Sequence, residues 1–247
     1  MIKKVIILGG GTAGLIAALI LKSRFPVIEI EIIKSDKIGI IGVGEGTTEH
    51  FKDFMNVCEF SEKEIIQHTD ATFKYGVMFK DWTPDDYLQF PDINHRHKIG
   101  FYEAYYAYHI GHNISFEKMM EKNLWNKRLT SEHYCNQYHF NTFKLNDFLL
   151  TKAEARGIKI TNDEIKSVSL KKGIDVLHGE KRKYKADFYI DATGFKKLLI
   201  SKLGAKWESF NLPMNEAIAF QTPDTENYNT WTLAKAMKAG WLWRIPT

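Results

Sequence analysis

Three consecutive stretches predict an α/β fold with a parallel sheet. Val5-Ile6-Ile7-Leu8 is an apolar run closed by glycine, Gly9-Gly10-Gly11-Thr12-Ala13-Gly14 is a tight turn, and Leu15 to Leu21 is rich in Ala, Leu and Ile. A short apolar run of this kind reads as a buried strand, and the Ala/Leu/Ile stretch reads as a helix packed on it. Between them lies the G-x-G-x-x-G spacing, with Gly9, Gly11 and Gly14 at the glycine positions. The first glycine permits the turn and the second lets backbone amides approach a pyrophosphate. The third lets helix and strand pack closely, with the helix N-terminus facing the anion. Strand, turn and helix in this order point to a dinucleotide site, with Thr12 and Ala13 inside its loop.

Ile28 to Ile33 alternates and then becomes fully apolar, as a second parallel strand does. The end of that strand ordinarily bears an acidic residue for a ribose hydroxyl. Lys34 stands there instead, followed by Ser35 and Asp36, either of which could serve the ribose. A second glycine-rich loop follows, Gly42-Val43-Gly44-Glu45-Gly46-Thr47-Thr48, whose glycines let the chain pass close to a flat ring. Thr47 and Thr48 are suited to cap a helix beginning near Glu49.

Further on, Leu149 to Gly157 reads as a helix with Gly157 at its C-terminal cap. Ile158 to Ile160, Ile165 to Leu170 and Ile174 to Leu177 read as short strands of a meander. Lys185 to Ile190 is a strand leading into Asp191-Ala192-Thr193-Gly194, an acidic, glycine-bearing turn. Trp241 and Trp243, two residues apart, point to one face of a strand.

Composition excludes several classes. The chain has 247 residues, 44% hydrophobic and 26% charged, ordinary values for a soluble α/β protein of one large or two joined domains. A net charge of +4 divided among 34 basic and 30 acidic residues provides no basic stripe for nucleic acid. No run of about eighteen apolar residues provides a membrane span. Cys58 and Cys135 fit a reducing cytosol and lack metal-ligand spacing. The first strand begins almost at Met1, leaving no room for a signal peptide, so the expected location is cytoplasmic. Six Trp, 11 Tyr and 16 Phe make 13% of the chain aromatic, enough for a large core and a pocket for planar ligands. Between Asp85 and Leu129, His109 and His112 are spaced i, i+3 but no carboxylate completes a metal site.

Taken together, Gly9 to Gly14, Gly42 to Thr47, Phe73-Lys74-Tyr75-Gly76 ahead of Phe79 and Trp82, Tyr138-His139-Phe140-Asn141, and Trp241-Leu242-Trp243-Arg244-Ile245-Pro246 resemble the flavin-dependent tryptophan halogenases. Gly46 replaces the family's usual Ala, Asp81-Trp82 its Asn-Trp, and Asn141 its Asp. The resemblance implies a three-layer, Rossmann-like FAD-binding domain of the flavin monooxygenase type. A β-meander and a partly helical, aromatic-rich substrate section complete that fold. Residues 1–84 would hold FAD and Lys74, 85–135 would cover the substrate, and 136–247 would continue the FAD-binding domain.

The chemistry implied is halogenation of an electron-rich aromatic, a tryptophan, an indole or a phenol-like ring. FADH2 from a separate reductase forms a flavin hydroperoxide that oxidises chloride or bromide to hypohalous acid, which Lys74 then activates. Lys74 could act as an ammonium that hydrogen-bonds the acid or as a neutral amine that forms a haloamine. Gly9, Gly11, Thr12, Ala13, Gly14, Ser35, Gly42, Val43, Gly44, Glu45, Gly46, Thr47, Ile165, Asp191, Gly194, Trp241 and Trp243 are the expected cofactor contacts, and no metal is expected. The two tryptophans would obstruct direct oxygen transfer from flavin to an organic substrate. A homodimer is the candidate assembly. The family's catalytic glutamate lies beyond the Trp-x-Trp motif and has no counterpart here, so an incomplete or shortened member is expected. The alternatives are a flavin monooxygenase-type oxidoreductase and a catalytically inactive flavin-binding fragment.

Overall fold

The computed structural model describes residues 1–40, 44–74, 76–89, 137–223 and 229–247. Gly42, Val43, Tyr75, Cys135 and the tyrosines and histidines between 95 and 112 lie outside the described residues. The chain divides into two compact units, Met1–Ile41 with Leu145–Asn215, and Gly42–Lys144 with Glu216–Thr247.

The first unit is a parallel sheet with a helix and a meander. β1 (Lys4–Leu8) is followed by α1 (Thr12–Arg24), β2 (Glu29–Lys34), β8 (Lys159–Asn162) and β12 (Phe188–Asp191). The four strands run in the order β12-β1-β2-β8, all neighbours parallel. Val5 to Ile7 and Ile30 to Ile33 are buried along the two central strands, as expected where both faces of a parallel sheet are covered. Ile158 to Ile160 was expected in the meander. Instead the strand there extends the parallel sheet beside β2, because a short apolar run specifies a strand but not its partner. The antiparallel meander is β9 (Ile165–Leu170), β10 (Ile174–Gly179) and β11 (Lys183–Tyr184). Its Ile165, Leu177 and Tyr184 join Ile6, Leu8, Ile33 and Leu199 in one buried cluster.

The second unit holds two small sheets. One has the order β3-β7-β4, with β3 (Gly44–Gly46) and β4 (Thr72–Phe73) antiparallel to the central β7 (Tyr138–Asn141). The other has the order β14-β13-β5-β6, comprising β5 (Val77–Lys80), β6 (Tyr87–Gln89), β13 (Thr232–Met237) and β14 (Gly240–Arg244). β13 pairs in parallel with β5 and forms a hairpin with β14. Two short helices, α2 (His50–Val57) and α3 (Glu62–Thr69), lie between β3 and β4 in sequence. α3 begins with a capping box: Ser61 Oγ accepts from the Glu64 amide and the Glu64 carboxylate accepts from the Ser61 amide. α4 (Thr142–Ala155), part of the first unit from Leu145 onward, follows β7 directly, and the Asn141 carboxamide oxygen accepts from the Phe143 and Lys144 amides at its start. No helix among the described residues is long and apolar enough to cross a membrane.

Candidate functional site

In the first unit the G-x-G-x-x-G turn has the geometry its spacing predicts. Gly9 has φ +118°, and a Cβ there would lie 2.2 Å from the Ala192 carbonyl oxygen. A Cβ on Gly14 would lie 2.1 Å from the Gly9 carbonyl oxygen. Both contacts are with backbone, so neither can be relieved by turning a side chain. Gly11 differs: its Cβ would meet nothing within 4 Å. The middle glycine thus leaves its backbone open on the side where the helix begins. α1 has no side-chain cap at Gly11 and no acidic residue in its first turn, so Thr12 and Ala13 begin a helix whose first N–H groups suit an anion.

The surroundings hold this turn in place. The Gly9 amide donates to the Ile33 carbonyl over 2.9 Å, and the Asn146 carboxamide donates to the Gly10 carbonyl over 3.0 Å. The sequence singled out neither Asn146 nor its contact, which joins α4 to a loop far away in the chain. A Cβ on Gly10 would lie 2.6 Å from Lys34 Cβ, so the lysine at the end of β2 lies against the glycine turn. Its ammonium pairs with the Asp36 carboxylate. Ser35 begins the turn after β2, where its carbonyl accepts from the Ile38 and Gly39 amides.

The second turn lies beside the first. Leu8 is in register with Asp191, and the Ala192 amide donates to the Leu8 carbonyl over 2.8 Å. Asp191 uses its own carboxylate locally. One oxygen accepts from the Thr193 amide and hydroxyl, the other from the Leu199 and Ile200 amides at 2.7 and 3.0 Å. Burial opposes the charge, but the Thr193 hydroxyl and these amides outweigh it and hold the carboxyl below its usual range. Gly194 has φ +58° and opens a short 3₁₀ turn. The Ile165 side chain belongs to the hydrophobic core. An open backbone at Gly11, an uncapped helix start and a lysine beside the loop fit the pyrophosphate of a dinucleotide such as FAD.

In the second unit the structure brings Lys74, Gly46, Thr47 and His139 together. Lys74 follows β4 and is only 8% exposed. Its amide donates to the Gln137 carbonyl over 3.0 Å, and its ammonium donates to the Thr47 carbonyl over 2.7 Å. His139 on β7 is opposite Gly46 on one side and Thr72 on the other, and its ring is fully buried. A Cβ on Gly46 would be 3.2 Å from Lys74 Cδ and 3.3 Å from both Lys74 Nζ and His139 Cδ2. The glycine therefore makes the corner in which lysine and histidine meet. Burial, with a smaller repulsion from Lys74, pushes the His139 imidazole down to about 3, so the ring is neutral at ordinary pH.

Thr47 does not cap a helix. Its hydroxyl accepts from the Tyr138 amide over 2.9 Å and its own amide donates to the Tyr138 carbonyl, which fixes it in the sheet. Glu49 takes the cap position of α2 without a side-chain bond. Glu45 is in register with Phe140 on β7. Trp241 and Trp243 lie on β14, opposite Ala236 and Ala234, and are 45% and 52% exposed. Trp82 packs against Trp241 with ring centres 6.2 Å apart, while its indole N–H donates to the Ala234 carbonyl. The chain after this hairpin returns to β4, where the Thr72 hydroxyl donates to the Pro246 carbonyl over 3.1 Å. Among the described residues, no group of His, Cys, Asp and Glu could hold a metal ion.

Comparison with known proteins agrees with this reading of the fold. The sequence model of the family described as tryptophan halogenase matches residues 4–247. Tryptophan 6-halogenase SttH of Streptomyces toxytricini is 28% identical over 98% of this chain and 55% of its own. The crystal structure of that enzyme superposes with a TM-score of 0.80 at 26% identity, covering 99% of this chain and 55% of that one. Xcc4156, a flavin-dependent halogenase from Xanthomonas campestris, gives a TM-score of 0.78 at 27% identity, over 100% of this chain and 54% of that one. The chain thus spans about half the length of the relatives it matches. With a family match from the first strand to the last residue and the fold of its solved members, the chain belongs to the tryptophan halogenase family.

Proposed function

We propose that this chain carries the flavin-binding and lysine-bearing part of an FAD-dependent halogenase acting on an electron-rich aromatic such as a tryptophan, an indole or a phenol. The observation that carries the reading is Lys74: a lysine 8% exposed, its ammonium held by a backbone carbonyl in a glycine-lined corner. Burying an ammonium is costly, so a lysine held in such a corner is a candidate for chemistry rather than for packing.

When bound, reduced FAD supplies with oxygen the two-electron oxidation of chloride or bromide to hypohalous acid, releasing one water. The protein groups do the rest. Gly9, Gly11, Gly14 and the start of α1, with Thr12 and Ala13, receive the pyrophosphate. Ser35, the backbone of Asp191 to Gly194, and Ile165 through its main chain line the adenosine side. Gly42 to Thr47, including Val43, Gly44 and Glu45, strap the flavin ring. Trp241 and Trp243 keep organic substrate away from that ring, so that only the small acid passes. The Lys74 ammonium donates a hydrogen bond to the oxygen of the acid and leaves the halogen electrophilic toward the aromatic carbon. Carbon–halogen bond formation breaks the oxygen–halogen bond, and the oxygen leaves as water with the ring proton. A separate flavin reductase supplies the FADH2, and residues 85–135 cover the substrate.

The test uses the chain in its full reading frame with FADH2, oxygen, bromide and a panel of indoles and phenols. Mass spectrometry should find monobrominated product, and Lys74→Ala should abolish it while flavin is still reoxidised. Hydroxylated product without bromide dependence would place the protein among the monooxygenases instead.

A further inference from the structure

The His139 ring is fully buried, yet among the described residues only one of its nitrogens has a hydrogen-bonding partner. Nε2 lies 2.9 Å from the Thr232 hydroxyl, while Nδ1 has none. A buried nitrogen without a partner costs free energy that a phenyl or isobutyl group of similar size would not. Filling space therefore does not account for a histidine here, and its remaining contacts show what the ring does. Thr232 is the first residue of β13, and its amide donates to the Gly76 carbonyl over 3.0 Å, two residues beyond Lys74. On the other side of Lys74, the lysine amide is bonded to Gln137, two residues before His139. The lysine is thus held between the strand that carries His139 and the strand that His139 grips.

We propose that His139 is a positioning residue for Lys74: bonded to Thr232, its ring walls the Gly46–Thr47 corner and couples the lysine to the hairpin bearing Trp241 and Trp243. This rests on the reading of Lys74 given above. The neutral ring matters, because an imidazolium would repel the ammonium that shares its corner. The charged group acting on the ring is Lys74 itself.

Two measurements on His139→Phe, Thr232→Val and His139→Gln in the full reading frame test it. The first is methylation of the Lys74 amine by formaldehyde and borohydride, followed by mass spectrometry without flavin or halide. The second is brominated product per flavin reoxidised. His139→Phe and Thr232→Val should each speed Lys74 labelling and lower product yield by about fivefold to tenfold, the ratio that loss of one hydrogen bond corresponds to. His139→Gln, which can still reach Thr232, should recover most of both. Thr232→Val carries the test alone if the phenylalanine variant does not fold. Unchanged labelling in the loss variants, or glutamine no better than phenylalanine, overturns the proposal. A wild-type chain that makes no brominated product would instead defeat the halogenase reading, and the labelling would still decide whether His139 holds Lys74.

Discussion

The two glycine turns use the same residue for different reasons. At Gly9 and Gly14 a Cβ would run into main-chain atoms of Ala192 and Gly9, about 1 Å inside contact distance. At Gly46 it would meet the end of a lysine side chain and the edge of an imidazole, at distances that a few tenths of an ångström relieve. In the first unit glycine is a requirement of the backbone. In the second it sets how closely the backbone approaches the Lys74 and His139 side chains. One kind of glycine faces backbone that cannot give way, the other faces side chains that can.

The largest effect should separate these cases. Gly14→Ala is expected to destabilise the first unit by about 3 kcal/mol, because neither helix nor turn can give way without losing its packing. Thermal melting and flavin-fluorescence titration would measure the loss of stability and of FAD binding together. Wild-type melting in that variant would mean that the turn is pliant and the contrast wrong.

A second contrast is in acid. The folded His139 titrates at about 3 against an ordinary 6.5, so between those values the unfolded chain binds a proton that the folded one does not. Stability therefore falls as pH drops through that window, by about 1.4 kcal/mol per pH unit, or about 2 kcal/mol at pH 5. Asp191 and Glu31 in the first unit behave otherwise. Burial opposes the charge on each, but hydrogen bonds outweigh it, from Thr193 and nearby amides for Asp191, and from Thr161, Lys4 and Lys159 for Glu31. Their contribution is complete above their ordinary values of 3.8 and 4.5 and fades only as pH falls below them. Hydrogen exchange at pH 7 and pH 5 should show the second unit weakening first, and His139→Gln should remove the difference. Equal weakening of both units would erase the comparison.

The smallest effect sharpens it. Gly46→Ala should change stability by less than about 1 kcal/mol, since the lysine can shift, and lower product yield no more than about threefold. A loss of folding as severe as that from Gly14→Ala would show that Gly46, too, answers to the backbone.

What was legible in the sequence follows the same division. β1, its turn and α1 are adjacent in the chain, so local pattern specifies all of them, including which glycine stays open. The meander from Ile165 to Tyr184 is equally local. Long-range pairings left no such trace. Nothing in Ile158 to Ile160 says that the strand joins β2 rather than β9, and nothing in Thr232 announces His139. Thr47 shows the cost of local reasoning. Two threonines before a helix look like a cap, but Tyr138, brought in by the sheet, takes the hydroxyl. Lys74 stands out in the sequence only through its family motif, whereas the Thr47 carbonyl and the His139 ring beside it come from strands that only the fold assembles.

The parallel pairing of β5 with β13 sets Val77 against Thr232. A ribosome making this chain therefore releases Lys74 long before the strand that encloses it exists. Strands of the first unit are complete once Asp191 has emerged, while the lysine corner must wait for Thr232. Pairings so distant in sequence form slowly. In the interval the His139 ring lacks its Thr232 partner. Folding of the second unit thus waits on synthesis of β13, which the strands of the first unit do not need.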